Sequence, residues 1–282
     1  MPVRMGQWMH VRESNGSEIV WTSHDSNGEV WFKAHFDLLD FEATKTTDDS
    51  LAASLRQILK AACRLNSDFL SKWKKYRIDI YLEFNRAWGF GSSSTLISCI
   101  AQWAEVNPYI LLFNTLGGSG YDVACALADG PILYQLGDNE LHISHVDFDP
   151  PFAENLYFVY LGNKTDSDDA RKHYYKHKAN SNGTLKHISD LSEDIIESKT
   201  LQEFESHLAR HEELIAKSLM LEPVQKRLFS DYWGVVKSLG AWGGDFVLAT
   251  SDRDQVTTRA YFKEKGLDTV FTLEELLLTQ TA

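Results

Sequence analysis

A chain of 282 residues, 43% hydrophobic and 24% charged, has the composition of an ordinary globular protein and the length for one large domain or two intimately packed ones. The excess of 40 Asp and Glu over 28 Lys and Arg gives a net charge of −12, which repels a phosphate backbone and argues against nucleic acid as a partner. No apolar run is long enough to cross a membrane and Met1-Pro2-Val3-Arg4 lacks a secretory pattern, so no membrane partner and a cytoplasmic location are expected.

The first recognisable elements are β structure. Ile19 to Thr22 and Val30 to Phe36 are rich in β-branched and aromatic residues, and Asn27-Gly28 between them is a hairpin-turn signal. Behind Asp48 and Asp49, Leu51, Leu55, Ile58, Leu59 and Ala62 recur at helical spacing. Ile78, Ile80, Leu82 and Phe84 then alternate with polar neighbours as in a strand buried on one face. A glycine-serine loop follows, and Leu96, Cys99, Ile100 and Trp103 fit a helix from Ser92 to Val106, stopped by Asn107-Pro108. A short helix is expected over Tyr109 to Leu116 and another beginning near Tyr121.

Ile132 to Tyr134 and Leu141 to Val146 flank Gly137-Asp138-Asn139 as a second hairpin. Asp149-Pro150-Pro151 punctuates the chain, which places a domain boundary at residue 150 and predicts domains over 1–150 and 151–282. Leu156 to Leu161 reads as the opening strand of the second. Thr200-x-x-Glu203 is a capping box ahead of Leu201, Phe204, Leu208 and Ile215, and a further helix is expected from Pro223 to Lys237. The apolar strand Phe246 to Ala249 and a helix from Asp254 to Lys265, stopped by Gly266, complete the pattern.

Three segments can carry chemistry. Gly89-Phe90-Gly91-Ser92-Ser93-Ser94 lies where a strand ends and a helix begins, so backbone amides and the helix dipole converge as they do in an anion site. Read alone, the same residues also make an ordinary N-cap with a flexible entry loop. The spacing is neither a Walker A loop nor a Rossmann fingerprint. Gly118-Ser119-Gly120-Tyr121-Asp122 and Gly240-Ala241-Trp242-Gly243-Gly244 are two further glycine-rich turns. Cys63, Cys99 and Cys125 form no C-x-x-C pair and read as small buried hydrophobes. His173 and His177, and likewise His207 and His211 beside Glu212, stand four apart but lack a third ligand, which favours ordinary helix histidines. Lys164, Arg171, Lys172, Lys176 and Lys178 form a local basic cluster, usually a solvated face and otherwise an attraction for an anionic ligand.

Taken in order, these segments resemble those of the GHMP family of small-molecule kinases, which includes galactokinase, homoserine kinase, mevalonate kinase and phosphomevalonate kinase. Gly89 to Ser94 is similar to the family's G-L-G-S-S-A phosphate loop, Gly118 to Ala124 to its S-G-x-D-x-A acceptor motif, and Ser238 to Phe246 to its third motif, G-A-G-G-G. Gly162-Asn163-Lys164 after a strand resembles the start of the second domain. The resemblance covers about residues 78 to 250. It implies an α+β, two-domain GHMP kinase fold, with an N-terminal domain like domain 2 of ribosomal protein S5 and a ferredoxin-like C-terminal domain.

The resemblance also implies ATP and Mg²⁺ as cofactors, a small-molecule acceptor as the other partner, and a monomer or homodimer. Gly89, Phe90, Gly91, Ser92, Ser93 and Ser94 would hold the phosphates, with Ser93 reaching the metal. Asp122 would be catalytic, orienting the acceptor hydroxyl and taking its proton; its plain alternative is a helix N-terminal carboxylate. Gly118, Ser119, Gly120, Tyr121, Gly240, Ala241, Gly243 and Gly244 would bind the acceptor, for which the Gly-Tyr-Asp-Val-Ala form points to mevalonate or phosphomevalonate. A non-catalytic nucleotide or metabolite binder and an ATP-dependent decarboxylase are the alternatives. The family's first motif is not found ahead of Met1-Pro2-Val3-Arg4-Met5-Gly6-Gln7, which leaves a late-assigned start or a non-catalytic product as competing expectations, the first favoured. The uncharged stretch Ile110 to Leu116 lacks a metal-binding glutamate that several relatives carry, and Trp88, Trp242 and Asp245 stand where relatives have small residues.

Overall fold

The structure, a computed structural model, describes residues 1–137, 140–163, 172–174, 176, 184–240 and 245–278. The chain divides into two compact units. One comprises Met1–Arg86, Phe90–His145 and the segment from Leu278; the other comprises Ala87–Gly89 and Val146–Leu277.

The first unit is built on a five-stranded sheet of β1 (Gln7–Ser14), β2 (Glu18–His24), β3 (Val30–Asp37), β4 (Ala43–Thr46) and β5 (Lys75–Leu82) in the order β1-β5-β2-β3-β4. β2 runs parallel to β5, and the other pairings are antiparallel. The sequence reading did not mark β1 or β4. In β1 the exposed Trp8, His10 and Arg12 alternate with half-buried Gln7, Met9 and Val11, so the polar-apolar contrast that betrays a half-buried strand is blurred by an aromatic on the wet side.

One face of this sheet is covered by α1 (Asp49–Leu65), α2 (Ser92–Ala104), α3 (Pro108–Phe113) and α4 (Tyr121–Leu127). α1 starts where Asp48 accepts a hydrogen bond from Leu51 N at 3.0 Å, and it buries Leu55, Ile58, Leu59 and Ala62. Ile19, Trp21, Phe36, Ile78 and Ile80 of the strands meet Ile97, Ile100, Leu111 and Val123 of the helices in a single core. Each fully buried residue of this size contributes roughly 1.5–3 kcal/mol of transfer free energy. The hairpin β6 (Ile132–Leu136) and β7 (Leu141–His145) pairs in register, and residues 138 and 139 of its turn lie outside the described residues.

The second unit has a four-stranded antiparallel sheet in the order β11-β8-β10-β9, formed by β8 (Leu156–Tyr160), β9 (Val236–Ser238), β10 (Phe246–Thr250) and β11 (Val270–Thr272). Its described helices are α5 (Thr184–Glu197), α6 (Leu201–Leu219), α7 (Val224–Leu228), α8 (Gln255–Glu264) and α9 (Leu273–Leu276). α6 opens with the expected capping box: Thr200 Oγ1 accepts from Glu203 N at 3.2 Å and the Glu203 carboxylate accepts from Thr200 N at 3.3 Å.

The helix expected from Pro223 to Lys237 stops at Leu228. Phe229 and Tyr232 are drawn into the unit's core, and Val235 exchanges hydrogen bonds of 2.9 Å with Thr250, after which the chain continues as β9. Sheet pairing overrides the helical spacing of the apolar residues here. The cysteines also differ from expectation, being half-buried rather than buried; burial pushes the Cys63 thiol up to about 11 and raises that of Cys99.

The second unit holds a buried polar cluster. Glu212, only 6% exposed, accepts from Ser238 Oγ at 2.8 and 2.9 Å and from Val224 N at 3.3 Å, and lies 3.9 Å from Lys237 Nζ. Burial lowers the Lys237 pKa and Glu212 opposes the shift. The adjacent His211 is lowered to about 4 by burial and then by the Lys237 charge, and its Nδ1 is buried with no hydrogen-bond partner among the described residues.

Candidate functional site

The glycine-serine loop leaves β5 and turns back within a few residues. Its two ends are tied in the first unit by Phe84, 1% exposed, whose ring lies 5.7 Å from that of Phe90. Gly91 is the N-cap of α2 and has no side chain with which to cap it. Thr95 N bonds the Gly91 carbonyl at 3.0 Å, so the helix and its dipole begin at that residue. Ser92 is half-buried, Ser93 exposed and Ser94 8% exposed, and a side chain at Gly91 would meet nothing within 4 Å. First-turn amides without a side-chain cap, open space and two accessible hydroxyls suit an anion. Within the second unit, the Asp245 carboxylate lies against Gly89, which has a φ of +69° and leaves no room for a Cβ.

Asp122 occupies the first turn of α4. The preceding Gly120 adopts a φ of +90°, and a Cβ there would stand 3.0 Å from Tyr134 Oη and 3.4 Å from the Tyr109 ring. Only glycine both adopts this backbone and permits that approach. The Tyr134 hydroxyl donates to the Ser119 carbonyl, which fixes the turn to β6. Water reaches Asp122, yet the protein packed around it penalises its charged form and raises its pKa, against smaller opposing effects of a hydrogen bond with Tyr121 and of the Met1 ammonium. Solvent exposure decides access here, and the surrounding packing decides the direction of the shift.

Beside α4 is an open recess of about 430 Å³ lined by Met1, Ser119, Tyr121, Cys125, Ile132, Tyr134 and Leu136. α4 packs directly on α2, with Val123 in the same core as Ile97 and Ile100. The first unit thus mounts Phe90 to Ser94 and Gly118 to Asp122 on adjoining helices. Tyr134 and Tyr109 are not marked as site residues by the sequence, because nothing in the motif spacing ties the hairpin or α3 to α4; burial raises both phenols.

Of the third motif, Gly240 is an exposed turn residue with a φ of +57°, whereas Ala241, Gly243 and Gly244 lie outside the described residues. So do Lys164, Arg171, His177 and Lys178. His173 Nε2 lies 2.8 Å from the Leu219 carbonyl and His207 pairs with Asp194 at 3.9 Å. Among the described residues no three His, Cys, Asp or Glu side chains converge as metal ligands. The exposed Ser93 and half-buried Ser92 hydroxyls are the hard oxygen donors that this loop offers a cation.

No family model matches the chain, and no curated protein matches its sequence. Solved structures do match its fold. A Lin0012 protein from Listeria innocua superposes with a TM-score of 0.68 at 14% identity, over 95% of this chain and 88% of that one. The mevalonate kinase of Methanococcus jannaschii matches with a TM-score of 0.65 at 13% identity, over 99% and 90% of the two chains. The phosphomevalonate kinase of Streptococcus pneumoniae, solved with phosphomevalonate and AMPPNP, matches with a TM-score of 0.65 at 15% identity, over 94% and 90%. The chain has the α+β fold of the GHMP kinases.

Proposed function

We propose that the protein is an ATP-dependent small-molecule kinase of GHMP type. The observation that carries this reading is the pairing, on the adjoining helices α2 and α4, of an uncapped glycine-serine anion site with an accessible carboxylate whose pKa is raised. Similarity of fold to a phosphomevalonate kinase solved with AMPPNP supports it.

In this reading the first-turn amides of α2 and the hydroxyls of Ser92 and Ser93 hold the nucleotide phosphates. Mg²⁺, when bound, supplies further neutralisation of charge on the phosphate oxygens. Asp122 orients an acceptor hydroxyl and takes its proton as the acceptor oxygen bonds to the γ-phosphorus and the bond to the ADP oxygen breaks. A carboxylate with a raised pKa is a better proton acceptor than an ordinary one, and desolvation by the protein packed around Asp122 is the cause here. Ser119 and Tyr121 line the recess beside α4 and, with Gly120 between them, would meet the acceptor, with mevalonate or phosphomevalonate as the first compounds to test.

The test is acceptor-dependent formation of ADP from MgATP by the purified chain. ADP and a phosphorylated acceptor in equal amounts are expected. Binding of ATP without transfer to any hydroxylated acid would favour a non-catalytic binder, and release of CO₂ from a diphosphorylated acid would favour a decarboxylase.

A further inference from the structure

We propose that Arg86, seated on Trp31, is a phosphate-binding cation of the glycine-serine loop, an inference that builds on the kinase reading above. β2 and β5 run parallel, with His24 opposite Tyr81 near their ends, so the β2–β3 turn lies at the end of the sheet from which β5 enters the loop. β4 returns along β3 to the same end, where Asp48 caps α1. The glycine-serine segment, the β2–β3 turn and the start of α1 therefore gather at one end of the first unit.

Arg86 stands three residues before Gly89, at most about 11 Å of chain, inside the loop whose base is tied by Phe84 and Phe90. Its guanidinium carbon is 3.5 Å from the centroid of the Trp31 ring. A cation–π stack at this distance uses the flat face of the guanidinium, whereas phosphate oxygens are bound in its plane, so the two interactions are compatible on one side chain. Trp31 is an expensive seat: its indole Nε1 is buried without a hydrogen-bond partner among the described residues. Such an orphan donor is a cost to folding, carried by the same ring whose face stacks on Arg86.

Burial lowers the Arg86 pKa and the charges of Asp25 and Asp48 oppose that shift; a guanidinium stays cationic throughout. These carboxylates supply the competing account, in which Arg86 merely ties the β2–β3 turn and the start of α1 together. The two accounts differ in what a phosphate ligand feels.

The experiment is calorimetric titration of the full chain with inorganic tripolyphosphate, MgATP and adenosine, comparing Arg86→Gln, Arg86→Lys, Arg86→Ala and Trp31→Leu. Arg86→Gln keeps a flat polar group over Trp31 and removes only the charge, so it serves if Arg86→Ala does not fold. Tripolyphosphate and ATP affinities are expected to fall at least tenfold in Arg86→Gln, with adenosine unchanged. Partial recovery is expected in Arg86→Lys, and a smaller loss of the same pattern in Trp31→Leu. Tripolyphosphate binding that needs Arg86, in a chain that does not bind ATP, would sustain this inference while removing the kinase reading. Tripolyphosphate affinity within twofold of the parent in Arg86→Gln, equal losses for adenosine and ATP, or no tripolyphosphate binding by the parent chain would overturn it.

Discussion

The first unit fills its interior with apolar side chains from four strands and four helices, whereas the second unit sets a carboxylate, a lysine and a histidine beside its sheet. Leu59 and Ile97 in the first are buried among hydrocarbon; Glu212 in the second is equally hidden but bonded to Ser238, two residues before Gly240. An apolar core tolerates loss of a methyl group by partial collapse. A buried ion pair has no such graded response, because removing Glu212 leaves the Lys237 charge buried without its counter-ion.

Substitution separates the two designs most sharply. Glu212→Ala is expected to cost about 3–5 kcal/mol in denaturant unfolding, since Lys237 and Ser238 lose their partner. Leu59→Ala, in the first unit, is expected to cost about 2–5 kcal/mol through transfer and cavity terms alone. Glu212→Gln distinguishes them further, because it preserves shape and bonding to Ser238 yet leaves the Lys237 charge unopposed. Near-parent stability in Glu212→Gln would show that hydrogen bonding rather than charge organises the cluster.

Acid should likewise strike the second unit first. The folded His211 pKa is about 4 against an ordinary 6.5, so between these values the unfolded chain takes up a proton that the folded chain refuses. Stability from this group is complete above about pH 6.5 and is lost as the pH falls toward 4. His211→Gln is expected to flatten that limb when unfolding midpoints are measured across the range. An unchanged limb would place the acid sensitivity elsewhere.

Smaller effects are expected at the glycine-serine loop and at Asp122. Gly89→Ala puts a methyl group against the Asp245 carboxylate at a positive φ and is expected to weaken ATP binding at least tenfold, about 1.4 kcal/mol in free energy. For Asp122 the folded pKa is raised, so ionisation opposes folding above that pKa, and the penalty is relieved as the pH falls through it. Asp122→Asn should therefore unfold at an equal or slightly higher temperature near neutrality. A marked fall in its midpoint would mean that the carboxylate is a structural helix cap.

Much of the fold was legible in local pattern. The hairpin at Asn27-Gly28, the amphipathic α1 and the Thr200/Glu203 capping box each announce themselves within a few residues. β1 did not, because Trp8 faces water, and the stretch after Leu228 misled because its apolar residues serve β9 and the core in turn. The candidate site divides in the same way. Gly89 to Ser94 and Asp122 were marked by ordered motifs, but Tyr134 reaches Ser119 across 15 residues and Arg86, just past β5, reaches Trp31 of β3 across the intervening β2, relations that only the folded chain supplies.

The phosphotransfer site proposed above would bind phosphate on α2 and the acceptor on α4. Its most direct measurement compares parent and Asp122→Asn chains for MgATP affinity and for ADP formation with mevalonate or phosphomevalonate. The expected result is equal ATP affinity with acceptor-dependent turnover reduced by roughly 10²–10⁴-fold in the variant, the size of a general-base contribution. Turnover preserved in Asp122→Asn, or no binding of ATP by the parent chain, would contradict it.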